Sequence, residues 1–181
     1  MELVDSSGLK NLTIAAIAEK IGVVPSGIYQ HFKNKTEVIR SIIERIGDRL
    51  SKNIEEVCED TCNAPERLRI LHILHIRMIR KNKGLPGLIF SNEVGESSDR
   101  KKQLYGVIQK YLGQLADIAR QGQEDGTICI DVAPEAISLM FLGLIQPSAI
   151  LWHLSDGNFD LNAESERCWH LFCRSITPNK Q

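Results

Sequence analysis

Cysteine is sparse in this 181-residue sequence: five residues, odd in number and scattered. That argues against a disulfide framework and fits a reducing cytosol. Long apolar runs are lacking as well, since none approaches the roughly 18 uninterrupted residues that span a bilayer. The opening Met1-Glu2-Leu3-Val4-Asp5 has neither the basic region nor the apolar run of a secretory signal. The expectation is a cytoplasmic protein with no membrane partner. Catalytic signatures are missing: there is no phosphate loop, no Gly-x-Ser-x-Gly elbow and no His-Glu-x-x-His. Acidic pairs such as Glu55-Glu56 read as a solvated helix face. Neither an enzyme nor a cofactor is expected. Repeats, low-complexity tracts and period-2 alternation are absent too, which leaves no case for a β architecture.

What is present is helical periodicity in a chain that is 43% hydrophobic and 25% charged, long enough to bury a substantial core. Thr13 to Ile21 places Ile14, Ile17, Ala18 and Ile21 on one face. Pro25 opens a short helix to about Phe32, because proline is tolerated where a first-turn N–H has no partner. Asn34-Lys35-Thr36 opens a long amphipathic helix carrying Val38, Ile39, Ile42, Ile43, Ile46, Leu50, Ile54 and Val57. Further helices are expected from about Pro65 to Lys81, from Asp99 to about Gln123, from Pro134 onward, and from about Ala163 to Ile176. Lys83-Gly84-Leu85-Pro86-Gly87 punctuates the middle, ahead of the apolar Leu88-Ile89-Phe90. Pro147 is expected to kink or interrupt its helix before Ile150, Leu151 and Trp152. The fold class is all-α.

Charge is unevenly spread. From Leu9 to Arg40 five basic residues (Lys10, Lys20, Lys33, Lys35, Arg40) face two acidic ones (Glu19, Glu37), giving +3 in a chain whose net charge is −1. A basic end on an acidic body suits a modular DNA binder that touches phosphates at one end.

Thr13 to Phe32 carries the clearest constellation. Two short helices crossing steeply need a small residue at the crossing, which Ala18 supplies, and a residue free to take positive φ at the turn, which Gly22 supplies. Ile17, Ile21, Val23, Ile28 and Phe32 are expected to fill the wedge. Ser26, Gly27, Tyr29, Gln30 and His31 remain outward, a polar or small face able to enter a major groove.

With Thr13, Ile17, Ala18, Gly22, Val23, Tyr29, His31, Phe32, Lys35 and the aliphatic Val38 in register, the segment resembles the TetR family signature T-x-x-x-I-A-x-x-x-G-V-S-x-x-x-x-Y-x-H-F-x-x-K-x-x-L. Gln123 to Glu135 is similar, more loosely, to the loop before that family's penultimate long helix. The resemblance implies a helix-turn-helix domain over residues 1–48 and a helical ligand-binding and dimerisation domain over 49–181. It implies phosphate contacts by Thr13, Tyr29, His31 and Lys35, and base reading by Ser26, Gly27 and Gln30. Lys35 also sits near a helix N-terminus, whose dipole favours an anion.

For the body the resemblance implies a small-molecule pocket, with His75, Met78, Phe90, Met140, Phe141 and Trp152 as candidate lining residues. Gly143 permits close approach of a partner helix, consistent with a homodimer paired through the last two helices. The implied function is a ligand-responsive repressor released from a palindromic operator by a small-molecule effector. Two departures stand out. Val24 replaces the usual Ser or Thr cap of the recognition helix. The first family helix is represented only by its last turns, with Leu3 and Val4, so residues upstream are expected.

His72 and His75, three apart, together with Cys58 and Cys62, pose the question of a metal site. Their aliphatic neighbours and the lack of tight Cys-x2-Cys spacing favour packed or pocket-lining residues, and no metal is expected. Cys168, His170 and Cys173 read as core or interface. The alternative function is a helical ligand-binding or thiol- or metal-sensing protein on the same scaffold, with DNA binding weak or lost.

Overall fold

The computed structural model describes residues 13–59, 62–89 and 91–178. Leu3, Val4 and Phe90 lie outside them. Nine helices are found among the described residues: α1 (Ile14–Ile21), α2 (Pro25–Tyr29), α3 (Lys35–Cys58), α4 (Ala64–Lys81), α5 (Leu85–Ile89), α6 (Asn92–Gly95), α7 (Ser98–Glu124), α8 (Pro134–Leu154) and α9 (Leu161–Ile176). The all-α class stands.

Helix boundaries follow local chemistry. Asn34 Oδ1 accepts from Glu37 N at 3.0 Å and so starts α3, while Glu37 Oε2 accepts from Lys33 N at 2.7 Å. Asn63 and Glu66 form a reciprocal capping box at the start of α4. α8 does not break at Pro147, contrary to expectation: the helix runs unbroken from Pro134 to Leu154. Proline removes one N–H from the ladder and leaves the Gly143 carbonyl without its helical donor, but Gly143 is exposed and water can serve that carbonyl. Buried Ile145, Ala149 and Trp152, on both sides of the proline, hold the helix in the core.

α3, 24 residues long, runs through three successive apolar clusters. Its Val38 joins Ile14, Ala18 and Ile28 in a small cluster with α1 and α2. Its Ile39 and Ile43 meet Leu88 of α5 and Val94 of α6. Its Ile46, Leu50, Ile54 and Val57 enter the main core, formed with α4, α7, α8 and α9. α7 lies close along α3 at Gly47, where a Cβ would meet Val107 Cγ2 at 3.0 Å. The pair is also tied by Gln103 Nε2 donating to the Arg40 carbonyl at 3.1 Å and Arg100 Nη1 donating to Thr36 Oγ1 at 3.1 Å.

The loop from α7 to α8 is held by Gln123, whose Nε2 donates to the carbonyls of Cys129 and Val132, each at 2.8 Å. α8 is apolar on both sides, with a mean hydropathy of 1.5, enough by length and composition to cross a membrane. Here its inner side (Ile137, Phe141, Ile145, Ala149, Trp152) is buried against α7 and α9, while Leu139, Met140, Leu151 and Leu154 are exposed.

Candidate nucleic-acid interface and ligand cavity

At the basic end, Thr13 caps α1: its Oγ1 accepts from Ala16 N at 3.1 Å. The hydroxyl hydrogen is left to donate to an anion. Gly22 ends α1 at φ +71°, and Val23 N closes the turn by donating to the Ala18 carbonyl at 2.9 Å. Ala18, wholly buried, sits where α1 and α2 pack. The expected wedge needs correction at Val23, which is 44% exposed. The left-handed glycine before it turns the chain outward, and Ile14 and Val38 supply the packing instead. The side chains of Ile17 and Ile21 are outside the described set.

α2 ends at Tyr29 rather than near Phe32. Gln30 and His31 therefore lie in the turn after it, where His31 N and Phe32 N both donate to the Ile28 carbonyl at 2.9 Å. Ile28 faces inward, whereas Ser26, Tyr29, Gln30 and His31 are exposed and Gly27 is half-buried. Lys35 is the first residue of α3, at the positive end of that helix's dipole. The structure thus leaves Thr13, Ser26, Gly27, Tyr29, Gln30, His31 and Lys35 at the surface of one small bundle. Val24 caps α2 without a side-chain hydrogen bond, and Pro25, the first helical residue, has no N–H to leave unpaired.

In the body, a cleft of about 340 Å³ opens between α3 and α4, with Ile42, Ile46, Met78 and Leu85 on its walls and Arg45, Asp48, Arg49, Lys52 and Asn82 around them. Ile46, Met78 and Leu85 are shared with a narrower inner pocket of about 50 Å³, bounded by α3, α4, α5, α7 and α8. Its lining is aliphatic except for His75, Tyr111 and Gln146. Arg45, Arg49 and Lys52 stand on one stripe of α3; Lys52 Nζ pairs with Glu56 at 3.6 Å. The basic cleft and the apolar inner pocket are therefore neighbours with three side chains in common.

Two of the candidate lining residues, His75 and Met78, are on these walls. Three are elsewhere. Met140, 48% exposed, points away from the body on the outer side of α8. Phe141, its neighbour, is wholly buried against Phe172 (ring centroids 6.1 Å) and His72 (6.4 Å) and is core. Trp152 packs under the turn after α8, where Gly157 N donates to its carbonyl at 2.9 Å. The helical period explains all three: α8 offers the cavity its flank through Leu142, Gln146 and Ala149. Sequence reasoning missed these, as it missed the Arg45, Arg49 and Lys52 stripe, although the spacing of the stripe was visible.

His72 lies against Trp169 (ring centroids 5.3 Å) beside Arg69, which ion-pairs with Glu166 and sits over the Trp169 ring. Burial, helped by the Arg69 charge, pushes His72 down from its ordinary 6.5 to about 4. Burial and then His72 lower His75 to about 4. Both rings are neutral at pH 7. Burial also raises the Tyr111 phenol and the Cys58 thiol above their ordinary values. No cluster of three or more His, Cys, Asp or Glu side chains suited to a metal occurs among the described residues.

The sequence profile described as bacterial regulatory proteins of the tetR family matches residues 1–42, and that of the YsiA-like C-terminal region matches residues 42–175. The chain belongs to the TetR family. It is a ligand-responsive, DNA-binding transcriptional regulator and not an enzyme. Among similar curated proteins, the nucleoid occlusion factor SlmA of Vibrio campbellii is 26% identical over 180 residues, covering 96% of this chain and 89% of that protein. The fatty acid metabolism regulator protein of Bacillus subtilis is 23% identical over 177 residues, covering 97% and 91%. Among solved structures, the fatty acid degradation regulator FadR from Bacillus halodurans superposes with a TM-score of 0.80 at 22% identity, covering 95% of this chain and 89% of that one. FadR from Bacillus subtilis in complex with stearoyl-CoA gives 0.78 at 23% identity, covering 97% and 94%. At such identities these two superpositions speak to the fold alone.

Proposed function

We propose that this TetR-family chain is a cytoplasmic, homodimeric repressor released from a palindromic operator by an amphipathic anion of the long-chain acyl-CoA type. The observation that carries the ligand class is the cleft itself. An aliphatic interior suits an acyl chain, and the Arg45, Arg49 and Lys52 stripe at its mouth suits a phosphorylated head group. The similarity to a fatty acid metabolism regulator supports the same class.

In this reading residues 1–48 read DNA and 49–181 bind ligand and pair. Thr13, Tyr29, His31 and Lys35 hold phosphates; Ser26, Gly27 and Gln30 face bases. The exposed Leu139, Met140, Leu151 and Leu154 of α8, with Leu171 of α9, form an apolar face for a second copy, and a Cβ at Gly143 would meet nothing within this chain. Two recognition helices about 34–36 Å apart then enter successive major grooves. α3 transmits the signal, since it gives Ile46 and Leu50 to the cavity and Val38 to the DNA-reading cluster. A ligand that favours one setting of α3 shifts the population away from the operator-bound spacing.

A gel shift on the DNA upstream of the protein's own gene tests this. Retardation by the protein, relieved by stearoyl-CoA and not by free coenzyme A, is expected. Retardation indifferent to every acyl-CoA chain length would overturn the ligand class, and no retardation would overturn the repressor.

A further inference from the structure

The inner pocket is built for an alkyl chain on all but three of its positions. His75 of α4, Tyr111 of α7 and Gln146 of α8 line it from three sides, and the His75 and Tyr111 rings lie 5.7 Å apart. His75 is 5% exposed and Tyr111 3%. Among the described residues none of the three side chains has a hydrogen-bond partner, and His75 Nδ1 is fully enclosed. Buried polar groups in folded proteins are almost always hydrogen-bonded, because leaving one unpaired forfeits its hydration with nothing in return. Buried Ser138 and Ser165 of this body donate to the carbonyls of Glu135 and Asn162 at 2.9 and 3.0 Å, whereas Asn53 Oδ1, His72 Nε2 and Gln114 Oε1 share with His75 Nδ1 the lack of a partner among the described residues. On this pocket the enclosed His75 Nδ1 stands with the Tyr111 hydroxyl and the half-buried Gln146 amide, so that one polar group entering it can meet all three. A plain saturated chain offers them nothing.

We propose that the effector carries an oxygen on its apolar part, a hydroxyl or keto group, which His75, Tyr111 and Gln146 receive. This deepens the acyl-thioester reading above and rests on it for the head group. The chemistry of the three groups fits. The Tyr111 hydroxyl and the Gln146 amide nitrogen donate to such an oxygen, and a neutral His75 offers one donor and one acceptor, so it serves either form. A site with built-in polar partners discriminates strongly against an analogue lacking the matching group, because the analogue strands them. Ile46, Met78 and Leu85 border both spaces, so a chain whose head is held at the basic cleft reaches the inner pocket by displacing these side chains.

Titration calorimetry on the full chain tests the proposal. The probes are dodecanoyl-CoA and its β-hydroxy, β-keto, mid-chain hydroxy and ω-hydroxy derivatives, together with free dodecanoic acid and the corresponding hydroxy acids. At least one oxygenated thioester is expected to bind tenfold or more tightly than the parent. Tyr111→Phe, Gln146→Leu and His75→Leu should each shrink that ratio at least threefold while leaving parent binding unchanged or tighter. The first two keep shape and fold if the third proves unstable. A parent that binds as well as every derivative, as it would if a trapped water satisfied the three groups, overturns the proposal. So does a preference that survives all three substitutions. If no thioester binds but a hydroxy acid outbinds its parent acid, the coenzyme A head group is wrong and the oxygen proposal stands. If nothing binds, both fall.

Discussion

The DNA-reading end and the helical body use their side chains in opposite ways. Among the described residues the first has a core of Ile14, Ala18, Ile28 and Val38, with Phe32 and Ile42 against it, and turns its functional side chains outward. The body has a core running from Ile46 to Ile176 and keeps its candidate site inside, in space that five helices fail to fill. A small bundle tolerates little internal change but leaves its surface free to specialise. A large one can leave a gap and still fold, because so much apolar surface is buried around it.

The largest expected break is in the body. Phe141→Ala removes a wholly buried ring from the cluster with Phe172 and His72 and is expected to cost about 3–5 kcal/mol, read by urea unfolding. Next, Ala18→Leu overpacks the contact between α1 and α2 at a cost of about 1–3 kcal/mol. Operator affinity should fall more than tenfold while effector binding holds; parallel loss of both would show that the two regions do not fold as separately as their clusters suggest. On the DNA face, Gln30→Ala should erase about 1–3 kcal/mol of base discrimination. Lys35→Ala should weaken operator and scrambled DNA alike and lower the salt slope by about 1. Fluorescence anisotropy separates the two, and identical behaviour would refute the division of roles.

The body should also respond to acid. His72 and His75 are held at about 4 when folded against an ordinary 6.5, so below pH 6.5 the unfolded chain takes up protons that the native chain refuses. Their contribution is complete above pH 6.5 and is lost as the pH falls toward 4. Melting followed by circular dichroism should show Tm dropping across that window, by roughly 2–4 °C per kcal/mol lost. Replacing both histidines with leucine should flatten the drop. The smallest effect is a gain: Val24→Ser gives α2 the side-chain cap it lacks, worth about 1 kcal/mol or less.

The two regions were unequally legible. In the first, spacing alone located Ala18, Gly22 and the outward polar set, since the whole device spans some twenty residues and is governed by local rules of turn and helix. Among the described residues the length of α2 and the exposure of Val23 departed from expectation. In the body, helix positions were read almost to the residue, as at α4 and α7, yet of the six named lining residues two lie on the cavity walls, three lie elsewhere and Phe90 is outside the described residues. Size and apolarity picked out Met140, Phe141 and Trp152, but neither property says which side of α8 faces a neighbour, the core or a gap.

The sequence by itself determined the helix-turn-helix, the helical class and the stripe of apolar residues that α3 carries, because caps, turns and periodicity act over a few residues. Only the tertiary structure decided that His75, Tyr111 and Gln146, on three helices, meet at one pocket and that Arg45, Arg49 and Lys52 stand around the neighbouring cleft. A cavity is the space that packing leaves over, and that space is set by how helices distant in sequence lie against one another.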